Sequence, residues 1–486
     1  MKRKIQSVLL GLSVWFCCGC GDWLDVVPQA QVNADKLFAT PSGFESALNG
    51  IYISMTSTDS YGRNATYGLM DILAQYYSVY LNKGHEFYEA SVYNYGYGAV
   101  KDAIDAMWLR NYNTIANCNI LLERMSGKSP SYFPQGHYNI LKGEALAIRA
   151  YLHFDLLRAF AVNYSTAPDG MAIPYADAFS RKIHTQLKSS GVIKRILRDL
   201  NAARELLKPV DPVFDETFKS TDMDYHFSQP FNNDIFMSYR AYRMNYYAVT
   251  GLMARVCRFT RDSVNAFKYA KEIIDAAAEG SFRFTPEGDF TASLEKRDVV
   301  MQNELLFALN CPDIQDIYYS VDATPSNRLS LLEVDNIYGE ASDFRRYLIG
   351  KSTISDRPIT YKYARINSEK SGKIPMIRLS EMYMIAAESL YSKNKNEAIR
   401  FLAELRKMRG ISPEVKGNSF EEFMEEIVLE ARREFIGEGQ LFYLYKRLNH
   451  PVIRNKAGME LTKAQYCLPM PANEVEFGGR EEDYLK

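Results

Sequence analysis

Between residues 61 and 97 the chain carries ten aromatic residues: Tyr61, Tyr67, Tyr76, Tyr77, Tyr80, Phe87, Tyr88, Tyr93, Tyr95 and Tyr97. Arg63, Asn64, Asn82 and Asn94 are interspersed among them. Aromatic faces stack against the C–H faces of sugar rings, while amide and guanidinium groups bind hydroxyls. A tyrosine-rich surface serves peptides as well. The segment is rich in Gly and Asn and holds more rings than one helix could bury. Residues 69–80 read as helical, so some rings pack into the body. The loop residues Tyr88, Tyr93, Tyr95 and Tyr97 are the better ligand contacts, with Tyr80, Arg63, Asn64 and Asn94 beside them. A second aromatic cluster runs Tyr225, His226, Phe227, Phe231, Phe236, Tyr239 and Tyr242. Its later members open a helix, which favours packing.

Catalytic signatures are sparse. There is no GxSxG, HExxH or P-loop, and no GxGxxG opening a helix after a strand, so no cofactor is expected. The six His are scattered, and no Cys/His spacing suggests a metal site. Arg149, Arg378, Glu381, Glu388, Arg433 and Glu434 tempt as catalytic charges. They fall inside apolar helical patterns, where a buried charge must be paired, so structural ion pairs are the expectation. Acids number 59, and counting alone leaves a hydrolytic carboxylate pair open.

The first twenty residues form a unit. Lys2, Arg3 and Lys4 precede an apolar run from Ile5 to Phe16, then Cys17-Cys18-Gly19-Cys20. The pattern is that of a signal peptide, 1–19, and the run is shorter than the ~20 apolar residues that span a bilayer. Gly19-Cys20 looks like a bacterial lipobox, with Cys17 where Leu is usual. Cys20 is therefore the expected lipidation site and mature N-terminus, anchoring the chain to a membrane. Cys118, Cys257, Cys311 and Cys467 lie far apart and read as buried free thiols. With 58 Lys plus Arg against 59 Asp plus Glu, no strong field points to nucleic acid.

The elements that position these residues are mostly α-helical. Three- and four-residue apolar spacing predicts helices over about 42–56, 102–126, 137–162, 188–207, 239–260, 263–279, 376–392, 395–409 and 419–448. Pro375 reads as opening the seventh, and Gly410 as capping the eighth. Helix pairs fall at about 42–126, 137–207, 239–279 and 376–409. The fold class expected is a tetratricopeptide-like helix-pair scaffold with long irregular loop elaborations and few short strands. The 34-residue consensus of such repeats is not visible. Between the pairs lie long irregular stretches, among them 57–101 and 280–374, the second with a short strand at Glu304–Leu309. Such stretches are usually functional. Residues 20–486 read as one compact body.

At this point the chain resembles the SusD/RagB family of outer-membrane nutrient-uptake lipoproteins. The similarity starts at Cys20-Gly21-Asp22-Trp23-Leu24-Asp25-Val26-Val27-Pro28 and continues in Ala47-Leu48-Asn49-Gly50-Ile51-Tyr52. Trp108 with Tyr112, Ile115 and Asn119 follows, then Glu144-Ala145-Leu146-Ala147-Ile148-Arg149-Ala150-Tyr151. Ile377-Arg378-Leu379-Ser380-Glu381-Met382-Tyr383, Glu430-Ala431-Arg432-Arg433-Glu434-Phe435, Gly437-Glu438-Gly439 and Leu468-Pro469-Met470-Pro471 complete the order. The family's Arg and Asp after Gly-Glu-Gly are Leu441 and Leu444 here, so one local ion pair is absent.

The resemblance implies a lid over a SusC-like TonB-dependent β-barrel transporter, lipid-anchored to the outer membrane and facing outward. Such a lid captures a glycan, or in some members a peptide, and performs no covalent chemistry. It also places ligand contacts in segments such as 280–374, which adds Tyr318 and Tyr319 to the candidates. Capture of an oligosaccharide is the leading expectation. Peptide cargo, a protein-interaction scaffold without small-ligand binding, and a lipid-anchored all-α glycoside hydrolase are the rivals.

Overall fold

A computed structural model describes residues 35–483, apart from Arg181, 220–226, 228–230, Glu333 and Asn455. The signal-like segment, Cys20, Tyr225 and His226 lie outside the described residues.

The helices of eight or more residues are α1 (Pro41–Met55), α2 (Gly98–Ser126), α3 (His137–Phe160), α4 (Ser189–Leu207), α5 (Tyr246–Phe259) and α6 (Ser263–Ala278). They continue as α7 (Ile314–Ala323), α8 (Leu379–Leu390), α9 (Lys395–Lys407), α10 (Phe420–Glu434) and α11 (Leu441–Leu448). Their starts are written locally. Asn245, Asp262, Asn394 and Ser419 each accept a backbone N–H of the first turn that follows, which satisfies one of the donors a helix start leaves unpaired. Contacts run in a row: α2 on α3, α3 on α4, α4 on α5, α5 on α6, α6 on α8 and α8 on α9, with α1 against α2. That is a stack of antiparallel helix pairs. The strands make two-stranded antiparallel ribbons, the longest joining β3 (Leu305–Asn310) to β6 (Lys373–Arg378), named in the chain order of all strands.

Four helix expectations are corrected. The helix expected over 239–260 starts only at Tyr246, where Asn245 caps it, and 69–80 is helical only over Leu69–Leu73, with a separate 3-10 turn at Ser78–Leu81. Pro375 does not open a helix; it lies in β6 opposite Ala308, and α8 starts only at Leu379. A two-stranded ribbon has an open edge, where proline's missing N–H is tolerated. The expected helix 419–448 is broken into α10 and α11 at Gly437-Glu438-Gly439. Gly437 and Gly439 have φ of 83° and 67°, conformations that disfavour any side chain. A Cβ on Gly439 would stand 2.2 Å from the Ala65 carbonyl oxygen.

Buried ion pairs stitch the stack. Glu144 in α3 accepts the Tyr52 hydroxyl of α1 at 2.6 Å, Arg240 Nη1 at 2.6 Å and Arg243 Nε at 2.8 Å. Arg149 binds Asp199 of α4 at 2.6 Å, and Arg255 of α5 binds Glu381 of α8 at 2.6 Å. Glu434 takes three guanidinium groups: Arg345, Arg378 and Arg409 reach it at 2.7, 2.8 and 2.6 Å. Arg433 pairs with Glu430 at 3.2 Å. The tempting charges are thus structural pairs. Cys118, Cys257, Cys311 and Cys467 are buried and free.

Removing one partner of such a cluster strands the others. Glu434→Ala is expected to lower unfolding free energy by about 3–5 kcal/mol, read from urea titration of the chain from Gly21 onward. Glu388 gives a pH signature. Burial alone would raise its pKa, but Arg447 and Arg258, at 2.7 and 2.5 Å, more than reverse that and bring it from 4.5 down to about 2. The folded value lies below the unfolded one, so this stabilisation is complete above about pH 4.5 and fades as the pH falls through about 2. Glu388→Gln should flatten that part of the stability-against-pH curve.

Candidate functional site

The two long irregular segments meet along a seam. Tyr77 and Leu331 form an antiparallel bridge. Ser78 N–H donates to the Ser330 carbonyl at 2.9 Å, and Leu332 N–H to the Tyr76 carbonyl at 2.8 Å. Further along, Asn82 Nδ2 donates to Ser326 O at 2.9 Å, and Glu86 N–H to Asn327 Oδ1 at 3.2 Å. Residues some 240 positions apart in sequence therefore build one surface.

The seam is fixed to the scaffold from below. The short helix Leu69–Leu73 is wholly buried. Asp71 in it accepts the N–H groups of Gly437 and Gly439 at 2.7 and 3.0 Å. Burial pushes the Asp71 carboxyl well above its usual range, against the pull of those two N–H groups. Tyr76 donates to the Arg432 carbonyl at 2.9 Å. Tyr67 packs against Tyr318 and Tyr363 with ring centroids 5.1 and 5.2 Å apart. Sequence reasoning missed Asp71, although an acid inside the apolar run Leu69-Met70-Asp71-Ile72-Leu73 was the signal.

Four expected ligand contacts prove to be packing residues. Tyr93 has φ of 60°, a turn of the chain that accompanies a buried ring. Its hydroxyl donates to the Leu73 carbonyl at 2.9 Å and accepts from Gln75 Nε2 at 3.1 Å. Burial raises its phenol pKa. Tyr95 is buried and its hydroxyl donates to the Gln465 carbonyl. Tyr318 sits in the tyrosine cluster and Asn64 is buried beneath Arg63. The physical reason is common to the three tyrosines: each phenol is a large apolar plate that the loop-rich region needs as core.

The remaining candidates stay accessible. Tyr80 and Tyr88 are half-buried, on the turn Ser78–Leu81 and the helix Tyr88–Ser91, which pack together. Arg63 is half-buried, 4.9 Å above the Phe87 ring and 3.4 Å from Glu86. Asn94 is exposed and its amide donates to Glu89 at 2.8 Å. Tyr97 is 64% exposed at the start of α2. Tyr319 is half-buried on α7, with the Arg365 guanidinium 3.9 Å from its ring centroid. Burial takes His85 down to about 4, so this corner gains no charge from it at neutral pH. Among the described residues no group of three His, Cys, Asp or Glu is placed to hold a metal. In the second cluster Phe227 is buried and packs edge-on against Tyr242 at 4.9 Å.

Half-exposed rings, amides and guanidinium forks on a rigid base can hold a hydroxylated, ring-shaped ligand. Residues 22–223 match a family model described as starch-binding associating with outer membrane, and 335–476 match the model of the SusD family. The chain belongs to the SusD family. The SusD-like protein P2 of Formosa agariphila is 22% identical, aligned over 98% of this chain and 97% of its own. A SusD superfamily protein from Bacteroides thetaiotaomicron superposes with a TM-score of 0.70 at 21% identity, over 90% of this chain and 98% of that one. The surface glycan-binding protein A of the same organism, solved in complex with laminarihexaose, superposes at 0.63 with 15% identity, over 90% and 98%. The mostly helical fold with few short strands is shared with these proteins.

The split between packing and accessible tyrosines is measurable. Tyr93→Ala should destabilise the chain by about 3–5 kcal/mol, as large buried aromatics do. Tyr97→Ala should stay within about 0.5 kcal/mol. Thermal unfolding of the two variants reads the contrast.

Proposed function

We propose that this SusD-family chain captures an oligosaccharide at the cell surface and delivers it to a SusC-like TonB-dependent barrel. The single observation that carries the reading is the seam itself. Two segments outside the helix stack are hydrogen-bonded together, and they leave Tyr80, Tyr88, Tyr319 and Arg63 half-buried where their neighbouring rings are packed away. Rings and polar forks held by a rigid base are what sugar recognition requires. The glycan-bound neighbour adds support by fold.

In this reading the chain is tethered through acylated Cys20 after loss of residues 1–19, outside the outer membrane. No described helix is long and apolar enough to cross a membrane. The reading includes no covalent chemistry. The buried carboxylates of the scaffold support it, since Glu144, Glu304, Glu388, Glu430 and Glu434 are all committed to arginines.

The test uses the soluble mature chain from Gly21 onward against a panel of polysaccharides and oligopeptides. Glycan binding that weakens about tenfold or more on Tyr88→Ala with Tyr319→Ala is the expected outcome. Peptide binding alone would replace the cargo class, and silence across the panel would sink the capture role. In cells, Cys20→Ser should move the protein from the membrane to the soluble fraction, and pull-down of the wild type should bring the barrel with it.

A further inference from the structure

Arg454 ends β7 (Val452–Arg454), the first strand of the last hairpin. Its guanidinium lies 4.4 Å from the centroid of the Tyr80 ring. Nε donates to Gln75 Oε1 at 2.8 Å and Nη2 to the Ser91 carbonyl at 2.6 Å. Ser91 closes the short helix that begins at Tyr88, so the group sits at the junction of the two elements carrying the accessible tyrosines. The side chain is half-buried and held from three sides.

Like Arg297 and Arg328 of the second loop segment, which donate to backbone carbonyls, Arg454 has no acid beside it. Both acceptors are neutral, and among the described residues no carboxylate pairs with Arg454. Nη1 has no protein partner there. The scaffold arginines Arg255, Arg345, Arg378 and Arg409 each carry one or more carboxylates. On the loop face, Arg63 pairs with Glu86 and Arg365 with Asp316. The other acid of this corner, Glu89, accepts the Asn94 amide. A positioned, uncompensated guanidinium matches a planar anion, carboxylate or sulfate, through its fork of N–H donors. It also occupies a face of Tyr80 on which a neutral sugar would stack. This spot therefore reads charge where a bare tyrosine would read only ring shape.

We propose that Arg454 is the anchor for an anionic group on the cargo, and that the cargo is an acidic glycan bearing uronate carboxylates or sulfate esters. The proposal rests on the glycan-capture reading above and names its substrate class.

The test compares glycans that differ only in charge, by calorimetry with the soluble mature chain. Oligogalacturonate is set against its methyl ester, and a sulfated galactan against its desulfated form. We expect one anionic form to bind, with the neutral counterpart about tenfold or more weaker, and with affinity falling as salt rises from 50 to 500 mM. The pair that shows the difference tells carboxylate from sulfate. Arg454→Gln should erase the difference, and Arg454→Lys should retain part of it. Thermal unfolding checks that the variants fold; if Arg454→Gln does not, the charged-against-neutral comparison on the parent protein decides. Equal affinity for charged and neutral forms, or binding to neutral glycans only, overturns the anionic class and leaves glycan capture standing. No binding to any polysaccharide overturns both.

Discussion

Three guanidinium groups converge on the carboxylate of Glu434, and each of them also holds another acid. Arg345 takes Asp343 and Glu430, Arg378 takes Glu438, and Arg409 takes Glu304. Every charge here is at most 5% exposed. Removing such groups from water costs several kcal/mol each, and only complete mutual pairing offsets it. The cluster therefore has essentially one low-energy arrangement. That arrangement fixes where β6, α9, α10 and the 343–345 turn stand relative to one another. Glu438 extends it to Lys362 at 2.5 Å, and its flanking glycines extend it to Asp71. The seam is thus referenced, through Asp71, to the most constrained point of the scaffold.

This linkage explains how a face built from irregular chain can be held in one arrangement. Helix stacks gain their stability between neighbours, pair by pair. The loops have no such repeat to lean on. They substitute buried tyrosines, whose rings supply apolar area and whose hydroxyls satisfy stray carbonyls. Tyr76 and Tyr95 each end on a backbone oxygen of a distant segment, and Tyr93 on the Leu73 carbonyl of its own. The unusual tyrosine content serves two purposes: some rings hold the face together and a few are displayed on it.

Much of the scaffold was legible in the sequence because helical spacing and caps are local. The boundaries of α1, α3, α4 and α6 fall within about two residues of those predicted, and the charges of Arg149, Arg378 and Glu434 read correctly as pairs because apolar neighbours left them nowhere else to go. The break at Gly437-Glu438-Gly439 was not legible as a break. Apolar periodicity continues straight through it, and the glycines are explained only by their positive φ and, for Gly439, by the approach of Ala65. In the candidate site the sequence marked out a tyrosine-rich segment but not which of its rings face out. A tyrosine reads the same whether its hydroxyl meets water or the Leu73 carbonyl. Arg454 carried no local signal, since its importance comes from Tyr80, Gln75 and Ser91, which lie far away in the chain.

The order of the contacts along the chain has a consequence for how the protein comes into being. Asp71 waits for Gly437, 366 residues later, and Gln75 waits for Arg454, 379 residues later. Pairings of such separation form late, because the ends of a long loop must first be brought together. While the polypeptide is still emerging, its early helices can pair with near neighbours, but the face cannot exist. A truncated chain that lacks these late residues therefore keeps a partial scaffold and an incomplete face.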